Sequence, residues 1–210
     1  MSQKYRYHNI TISGLPGCGS TTMLGMLKEE LGNNGGKWTG FSGGEFMRDY
    51  AIVQGLFKEN TGLHHDATVY PPDFDRQVDL GMRERLQKGK HQIFEAWLSG
   101  FMAQGVEGTL KVLMICSDEA VRVDRIVNRD NVSPQQAIDN MRVRYEKNTK
   151  KWREMYAKEW NEWVVQKGVI SADKPIDFWN PKLYDLTIDT YKLSREQSLQ
   201  TVLDAIQAQS

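Results

Sequence analysis

The sequence predicts an α/β fold, a doubly wound and mostly parallel five-stranded sheet with helices on both faces. Three observations carry that expectation. Short apolar runs that end in polar residues recur along the chain, as strands buried on both faces require. Amphipathic stretches with capping signals fall between those runs. A glycine-rich turn joins the first run to the first amphipathic stretch.

The elements follow in chain order. Asn9 to Ser13 reads as the first strand and stops at Gly14. Thr21 to Leu31 sets Met23, Leu24, Leu27 and Leu31 at helical spacing behind the glycine turn. Trp38 to Phe41 is a short strand, and Gln92 to Glu95 a weaker one. Glu45 to Leu56 and Asp75 to Gln87 are polar amphipathic helices. Leu110 to Cys116 is the most apolar run and ends at Ser117-Asp118, the cap of a helix over Glu119 to Asn128. Ser133-Pro134 opens a long charged helix, with proline at its first position. Gly168 to Pro181 is polar with two prolines and reads as a surface insertion. Tyr184 to Thr190 is the last strand, and Ser194 to Gln197 is a capping box before the last helix.

Length and composition fit one domain. The 210 residues are 40% hydrophobic and 26% charged, which excludes wholesale disorder. Lys+Arg and Asp+Glu stand at 27 each, so no global charge points to nucleic acid or a membrane surface. Cys18 and Cys116 lack metal-site spacing and form no disulfide framework. No apolar run has the roughly 20 residues of a membrane span, and the first residues lack the core of a signal peptide. The expectation is a soluble, cytoplasmic protein whose partners are small molecules.

The chemistry concentrates at Gly14-Leu-Pro-Gly17-Cys18-Gly19-Ser20-Thr21-Thr22. Glycines let successive backbone N–H groups curl round an anion, and the helix N-terminus adds a favourable dipole. The spacing is that of a P-loop in strand–loop–helix context, which would cradle the phosphates of ATP. Thr21 is placed to ligate Mg²⁺ through its hydroxyl. One residue departs from the pattern: Ser20 stands where a P-loop carries lysine.

Four further segments, in order, resemble archaeal-type cytidylate kinases. Phe41-Ser-Gly-Gly-Glu-Phe-Met-Arg48 resembles their SAGE-x-x-R segment, and Glu95 to Ala103 their EGRLAGWMA. Val123 to Arg129 is similar to the helix that leads to the lid of nucleoside monophosphate kinases. Tyr184 to Ser194 resembles the DLVINT-x-KLS exit of the last strand. The resemblance runs from about Ile10 to Ile206.

It implies a P-loop kinase fold in one domain of three parts. The core would hold about 1–41, 91–128 and 183–210, the monophosphate-binding segment about 42–90, and the lid region about 129–168, with the insertion at 169–182. It implies ATP and Mg²⁺ as cofactors and CMP or dCMP as acceptor. Ser42 and Arg48 would hold the acceptor, Glu95 would lie beside the metal and its waters, and Arg125 would flank adenine. Arg129, Arg142 and Arg144 would clamp the transferring phosphoryl group. Arginine suits this role because its planar fork binds phosphate bidentately and stays charged. A solvated or salt-bridged basic stripe is the alternative for these three.

Trp97 replaces the arginine of EGR and is open to two readings, a core aromatic or a platform for a base. Asp73, Asp75, Arg76 and Asp79 lie where the resemblance sets the acceptor nucleoside, and a solvated helix start fits them equally. His64-His65-Asp66 has no third ligand at useful spacing, which speaks against zinc. Trp152, Tyr156, Trp160 and Trp163 share a helix face, which points to packing against the body rather than stacking on nucleic acid. Cys18 sits at a helix N-terminus, a position that lowers a thiol's pKa. Two rivals remain beside a cytidylate kinase: a P-loop kinase with another acceptor, and a nucleotide-binding regulator without turnover.

Overall fold

The computed structural model describes residues 5–33, 38–47 and 72–207. Five parallel strands form one sheet: β1 (Asn9–Gly14), β2 (Thr39–Ser42), β3 (Gln92–Glu95), β4 (Thr109–Ile115) and β5 (Leu186–Asp189). Their order is β2-β3-β1-β4-β5. Every strand pair is parallel, so the sheet is wholly rather than mostly parallel.

Each strand's apolar run explains its place. Asn9–Gly14 is buried along its whole length because β1 is central and covered on both faces. Ile10, Ile12, Val112 and Met114 pack with Leu27 of α1 (Ser20–Asn33) and Val202 and Ile206 of the last helix. The register sets Ile12 opposite Glu95, and Ser42 opposite Glu95 on its other side. Ser42 and Glu95 therefore reach the carboxyl ends of their strands together, where open parallel sheets bind ligands.

The helices carry the expected signals. After β2, residues 43–47 are helical, and the rest of the helix expected to Leu56 lies outside the described residues. The expected polar helix is α2 (Pro72–Lys88), and a short α3 (Ser99–Met102) follows β3. Asp118 caps α4 (Glu119–Asp130) by accepting from the Val121 N–H. Ser133 and Gln136 form a reciprocal capping box on α5 (Pro134–Met155), with Pro134 at its start. The Ser194–Gln197 box opens α7 (Arg195–Gln207), counting α6 as Ala157–Trp160.

Beyond α5 the tryptophan face packs inward. Tyr156 and Trp160 join Phe101 in a second apolar core. The helix is not continuous, however: α5 ends at Met155, α6 follows, and Asn161–Val165 winds as a π-helix. Arg83 lies over the Trp163 ring at 3.9 Å. The 168–181 stretch is not a simple surface insertion, because it buries Ile170 and Phe178 in that same core. Phe178 meets Phe101 edge to face at 4.8 Å. A polar composition conceals this, since two apolar anchors suffice to dock the loop.

Candidate functional site

The loop from β1 to α1 builds the first half of the site. Gly17 and Gly19 have φ of +83° and +85°, which L side chains rarely adopt. A Cβ on Gly17 would lie 2.7 Å from the Arg122 carbonyl oxygen, so that glycine is also forced by α4 passing close by. Gly19 is less crowded, its nearest neighbour being Thr190 Cγ2 at 3.7 Å.

Arg125 ties this loop to the segment after β5. Its guanidinium donates to the Gly17 carbonyl at 3.1 Å and to Thr190 Oγ1 and the Thr190 carbonyl at 2.7 and 2.9 Å. Arg125 lines the cleft, where its role beside adenine was expected, but as a brace of the loop.

Ser20, in the lysine position, is buried and donates to Glu95 Oε1 at 2.8 Å. Ser42 donates to Oε2 of the same carboxylate at 2.9 Å. Burial pushes the Glu95 carboxyl above its ordinary range, and the Ser20 and Ser42 hydroxyls oppose that shift. Two donated hydrogen bonds favour the ionised form. Thr21 and Thr22 are exposed on the cleft at the start of α1.

Cys18 is the correction in this loop. Its thiol is buried in the main core and does not line the cleft. Burial pushes its pKa up, with Arg122 opposing, so desolvation outweighs the helix N-terminus. Only its backbone serves the site: the Thr190 hydroxyl donates to the Cys18 carbonyl at 3.3 Å.

A single cleft of about 890 Å³ runs from this loop to the space between α2 and α5. Gly14, Gly17, Gly19, Ser42 and Glu95 line one end, and Arg125, Arg129 and Arg144 reach it from α4 and α5. Arg129 pairs with Asp130, and Arg144 lies 4.9 Å over the Trp97 ring. Arg142 does not line the cleft; it is exposed and pairs with Asp139. Helix geometry requires this, since residues two apart face opposite sides and Arg144 has the inner one. Arg48 and His64-His65-Asp66 lie outside the described residues.

The α2–α5 end was legible only in fragments. Trp97 is half-buried, meets Trp152 at 5.5 Å and Trp179 at 5.9 Å as a core aromatic would, and its remaining face lines the cleft. Lys151 of α5 pairs with Asp75 of α2, and Arg76 pairs with Glu159. The Tyr156 hydroxyl donates to Asp79 Oδ2 at 2.6 Å. Burial pushes the Asp79 carboxyl up to about 7, with the Tyr156 hydrogen bond opposing and Asp75 adding to it. Sequence reasoning missed Asn148 and Lys151. The spacing of Arg144, Asn148, Lys151 and Trp152 on one helical stripe was the signal that could have found them.

The residues present fit a magnesium nucleotide. The Thr21 hydroxyl and Glu95 carboxylate are oxygen donors, and Mg²⁺ commonly binds through one or two such groups plus substrate phosphates. Among the described residues no group of three His, Cys, Asp or Glu side chains could hold a metal by itself. No helix among the described residues is long and apolar enough to cross a membrane.

Comparison with known proteins agrees with this architecture. Residues 10–147 match a family described as an AAA domain. A cytidylate kinase of Methanothrix thermoacetophila is 30% identical over 199 residues, spanning 95% of this chain and 98% of its own. Another, from Archaeoglobus fulgidus, is 26% identical and spans 94% of each chain. Among solved structures, a shikimate kinase from Bacteroides thetaiotaomicron has a TM-score of 0.51 at 11% identity, covering 96% of this chain and 99% of that one. That last likeness bears on the fold alone. On the relatives' identity and coverage, the chain belongs to the cytidylate kinase family of P-loop kinases.

Proposed function

We propose that the protein transfers the γ-phosphoryl group of ATP to CMP or dCMP, giving ADP and the cytidine diphosphate. The observation that carries this reading is the continuity of the cleft. One space of about 890 Å³ joins a phosphate nest to a second, aromatic-walled chamber, with Glu95 at the junction. Its volume stands near the top of the range of small-molecule sites, as two nucleotides end to end would need.

In this reading the loop N–H groups and the α1 N-terminus hold the donor's phosphates. Mg²⁺, when bound, neutralises charge on the phosphate oxygens, with Thr21 and Glu95 as the residues that would hold it. Ser20 and Ser42 fix the Glu95 carboxylate by one hydrogen bond to each oxygen. Arg129 and Arg144 approach from α4 and α5 and supply the cations that Ser20 does not. Transfer is in line, with no covalent enzyme intermediate, because phosphoryl transfer depends on positioning and charge stabilisation. Ser42 and Arg48 bind the acceptor phosphate. The 42–90 segment is the acceptor-binding part, and the α4–α5 hairpin is the lid.

A coupled assay with ATP and Mg²⁺ across CMP, dCMP, UMP, AMP and GMP tests it. Turnover fastest on CMP or dCMP is expected. Turnover fastest on another acceptor, or ATP binding with turnover on none, overturns the proposal.

A further inference from the structure

We infer that Trp97 is a positioning residue for Arg144: its indole, fixed at the exit of β3, holds the guanidinium that α5 brings into the cleft. The inference rests on the phosphoryl-transfer reading above and adds how one cation of that site is aimed.

The ring stands on the rigid side of the cleft. Trp97 follows Glu95 by two residues, on the strand end that carries the Ser20–Glu95–Ser42 group. Its ring meets Trp152 and Trp179 edge to face, at 5.5 and 5.9 Å and 73° in both cases. Such T-shaped contacts stabilise aromatic pairs beyond the area they bury. The Trp179 Nε1–H also donates to the Trp97 carbonyl at 3.1 Å, so the backbone is held together with the side chain.

Arg144 reaches that ring from a helix docked on the same cluster. Tyr145 packs on Trp179 at 5.6 Å and Trp152 on Trp179 at 6.3 Å, next to Arg144 and about two turns beyond it. The aromatic cluster therefore sets where α5 lies. An arginine still has a long, rotamer-rich side chain to order after that. The Trp97 ring orders it: Arg144 Cζ lies 4.9 Å from the ring centroid, within cation–π range, and both residues line the cleft.

A ring suits this task better than a carboxylate. A carboxylate would neutralise the guanidinium charge and occupy its N–H donors. An aromatic face attracts the cation through its quadrupole, carries no net charge, and leaves those donors for phosphate oxygens. The other two cleft arginines are held differently. Arg129 gives Nε and Nη2 to Asp130, and Arg125 spends its guanidinium on Gly17 and Thr190. Trp97, which replaces an arginine, thus aims one supplied by another element.

The test is kcat and KM, for ATP and CMP, in the wild type, Trp97→Leu, Trp97→Phe, Arg144→Ala and the Trp97→Leu/Arg144→Ala double variant, with thermal melts beside them. Trp97→Leu should lower kcat about tenfold or more, as a misplaced group does, with both KM values within about threefold. Trp97→Phe keeps an aromatic face and should hold kcat within about threefold of wild type. In the Arg144→Ala background, Trp97→Leu should cost less than about twofold more, because the ring then has nothing to aim. An unchanged kcat in Trp97→Leu, or losses that multiply independently in the double variant, overturns the inference. So does a raised KM for CMP with kcat intact, which would make Trp97 a contact of the acceptor. Those outcomes leave the kinase reading standing. Absence of wild-type turnover on every monophosphate would overturn that reading, and this inference with it. Should Trp97→Leu fail to fold, Trp97→Met replaces it in the same cycle, because its flexible side chain fills the gap beside Trp152 and Trp179 without offering a ring.

Discussion

At the phosphate end of the cleft the polar side chains are already paired with one another. Ser20 and Ser42 share Glu95, and Arg125 braces Gly17 and Thr190. What remains for a ligand there is backbone N–H, with the Thr21 hydroxyl and the outer lone pairs of Glu95 beside it. The α2–α5 end is made differently, from side chains on two helices, where Tyr156 donates to Asp79 and Lys151 pairs with Asp75. A nest of main-chain groups recognises any phosphate, since all nucleotides share that chemistry. Side chains recognise a particular edge. Substitutions in the loop should therefore impair the enzyme toward every acceptor, and substitutions between the helices should change which acceptor it prefers.

The largest effects should come from the two loop glycines, and they should differ. Gly17→Val forces a β-branched residue to φ +83° with its Cβ 2.7 Å from the Arg122 carbonyl, so it should destabilise the fold by about 3 kcal/mol or more. Gly19→Val meets only Thr190 Cγ2 at 3.7 Å, so its cost is mainly backbone strain of about 1–2 kcal/mol. It should still weaken ATP binding on the order of 10²-fold, because the nest itself is deformed. Thermal melts beside ATP titrations separate the two. Equal melting temperatures for both variants would show that α4 does not clamp the loop at Gly17.

The next test compares two arginines two residues apart. Arg144→Ala should lower kcat on the order of 10²-fold, as loss of one preorganised charge does. Arg142→Ala should change kcat by less than about threefold, since an exposed pair with Asp139 contributes little. Steady-state rates at saturating ATP and CMP decide it. Comparable losses in both would mean that α5 turns or shifts during the reaction.

The sequence reveals what repeats locally. Three strands stood out as apolar runs, Gln92–Glu95 was weaker but bounded to the residue, and the short edge strand at Thr39–Ser42 left the faintest trace. The caps at Asp118, Ser133 and Ser194 were equally plain, because capping is a contact across three residues. The phosphate nest was legible for the same reason. Contacts between distant residues were not. Ser20 meets Glu95 across 75 positions, and no spacing announces that a serine's hydroxyl will face inward to a carboxylate. Asn148 looks like any polar residue on a charged helix until Asp79 and Trp97 stand opposite it. Cys18 illustrates competition between effects: its helix terminus was visible, but the burial that overrides it was not. Helical periodicity alone shows that Arg142 and Arg144 do not share a face, and the packing of α5 decides that Arg144 has the inner one.

Ser20→Lys probes the phosphate end with a smaller expected effect. The serine hydroxyl faces Glu95 rather than open space, so an ammonium introduced there would meet that carboxylate first. Part of its charge would be spent on an ion pair, and Arg129 and Arg144 already line the cleft. Turnover should change by less than about tenfold, or 1.4 kcal/mol. A gain on the order of 10² would show that the site lacks charge and that the arginines do not compensate.

The smallest effect belongs to the α2–α5 end and follows from its buried Asp79 carboxyl. The Asp79 carboxyl is pushed up to about 7 from an ordinary value of 3.8, principally by burial. Tyr156, Asp75 and Lys151 are the titratable groups that act on it. Because the folded protein holds this proton more tightly than the unfolded chain, the linkage has a definite sign. Below pH 3.8 both states are protonated and Asp79 carries no penalty. Between there and about 7 the unfolded chain ionises first, so this group's contribution falls as pH rises, and above 7 the loss is constant. Asp79→Asn removes the titration while its amide oxygen can still accept from Tyr156. The variant's melting temperature relative to wild type should therefore be higher at pH 8 than at pH 4, by about 2–4 °C for roughly 1 kcal/mol, an effect softened by the opening of Asp79 onto the cleft. A melting difference that is the same at both pH values would mean that Asp79 titrates as an ordinary surface carboxylate, and the contrast between the two ends of the cleft would lose its electrostatic part.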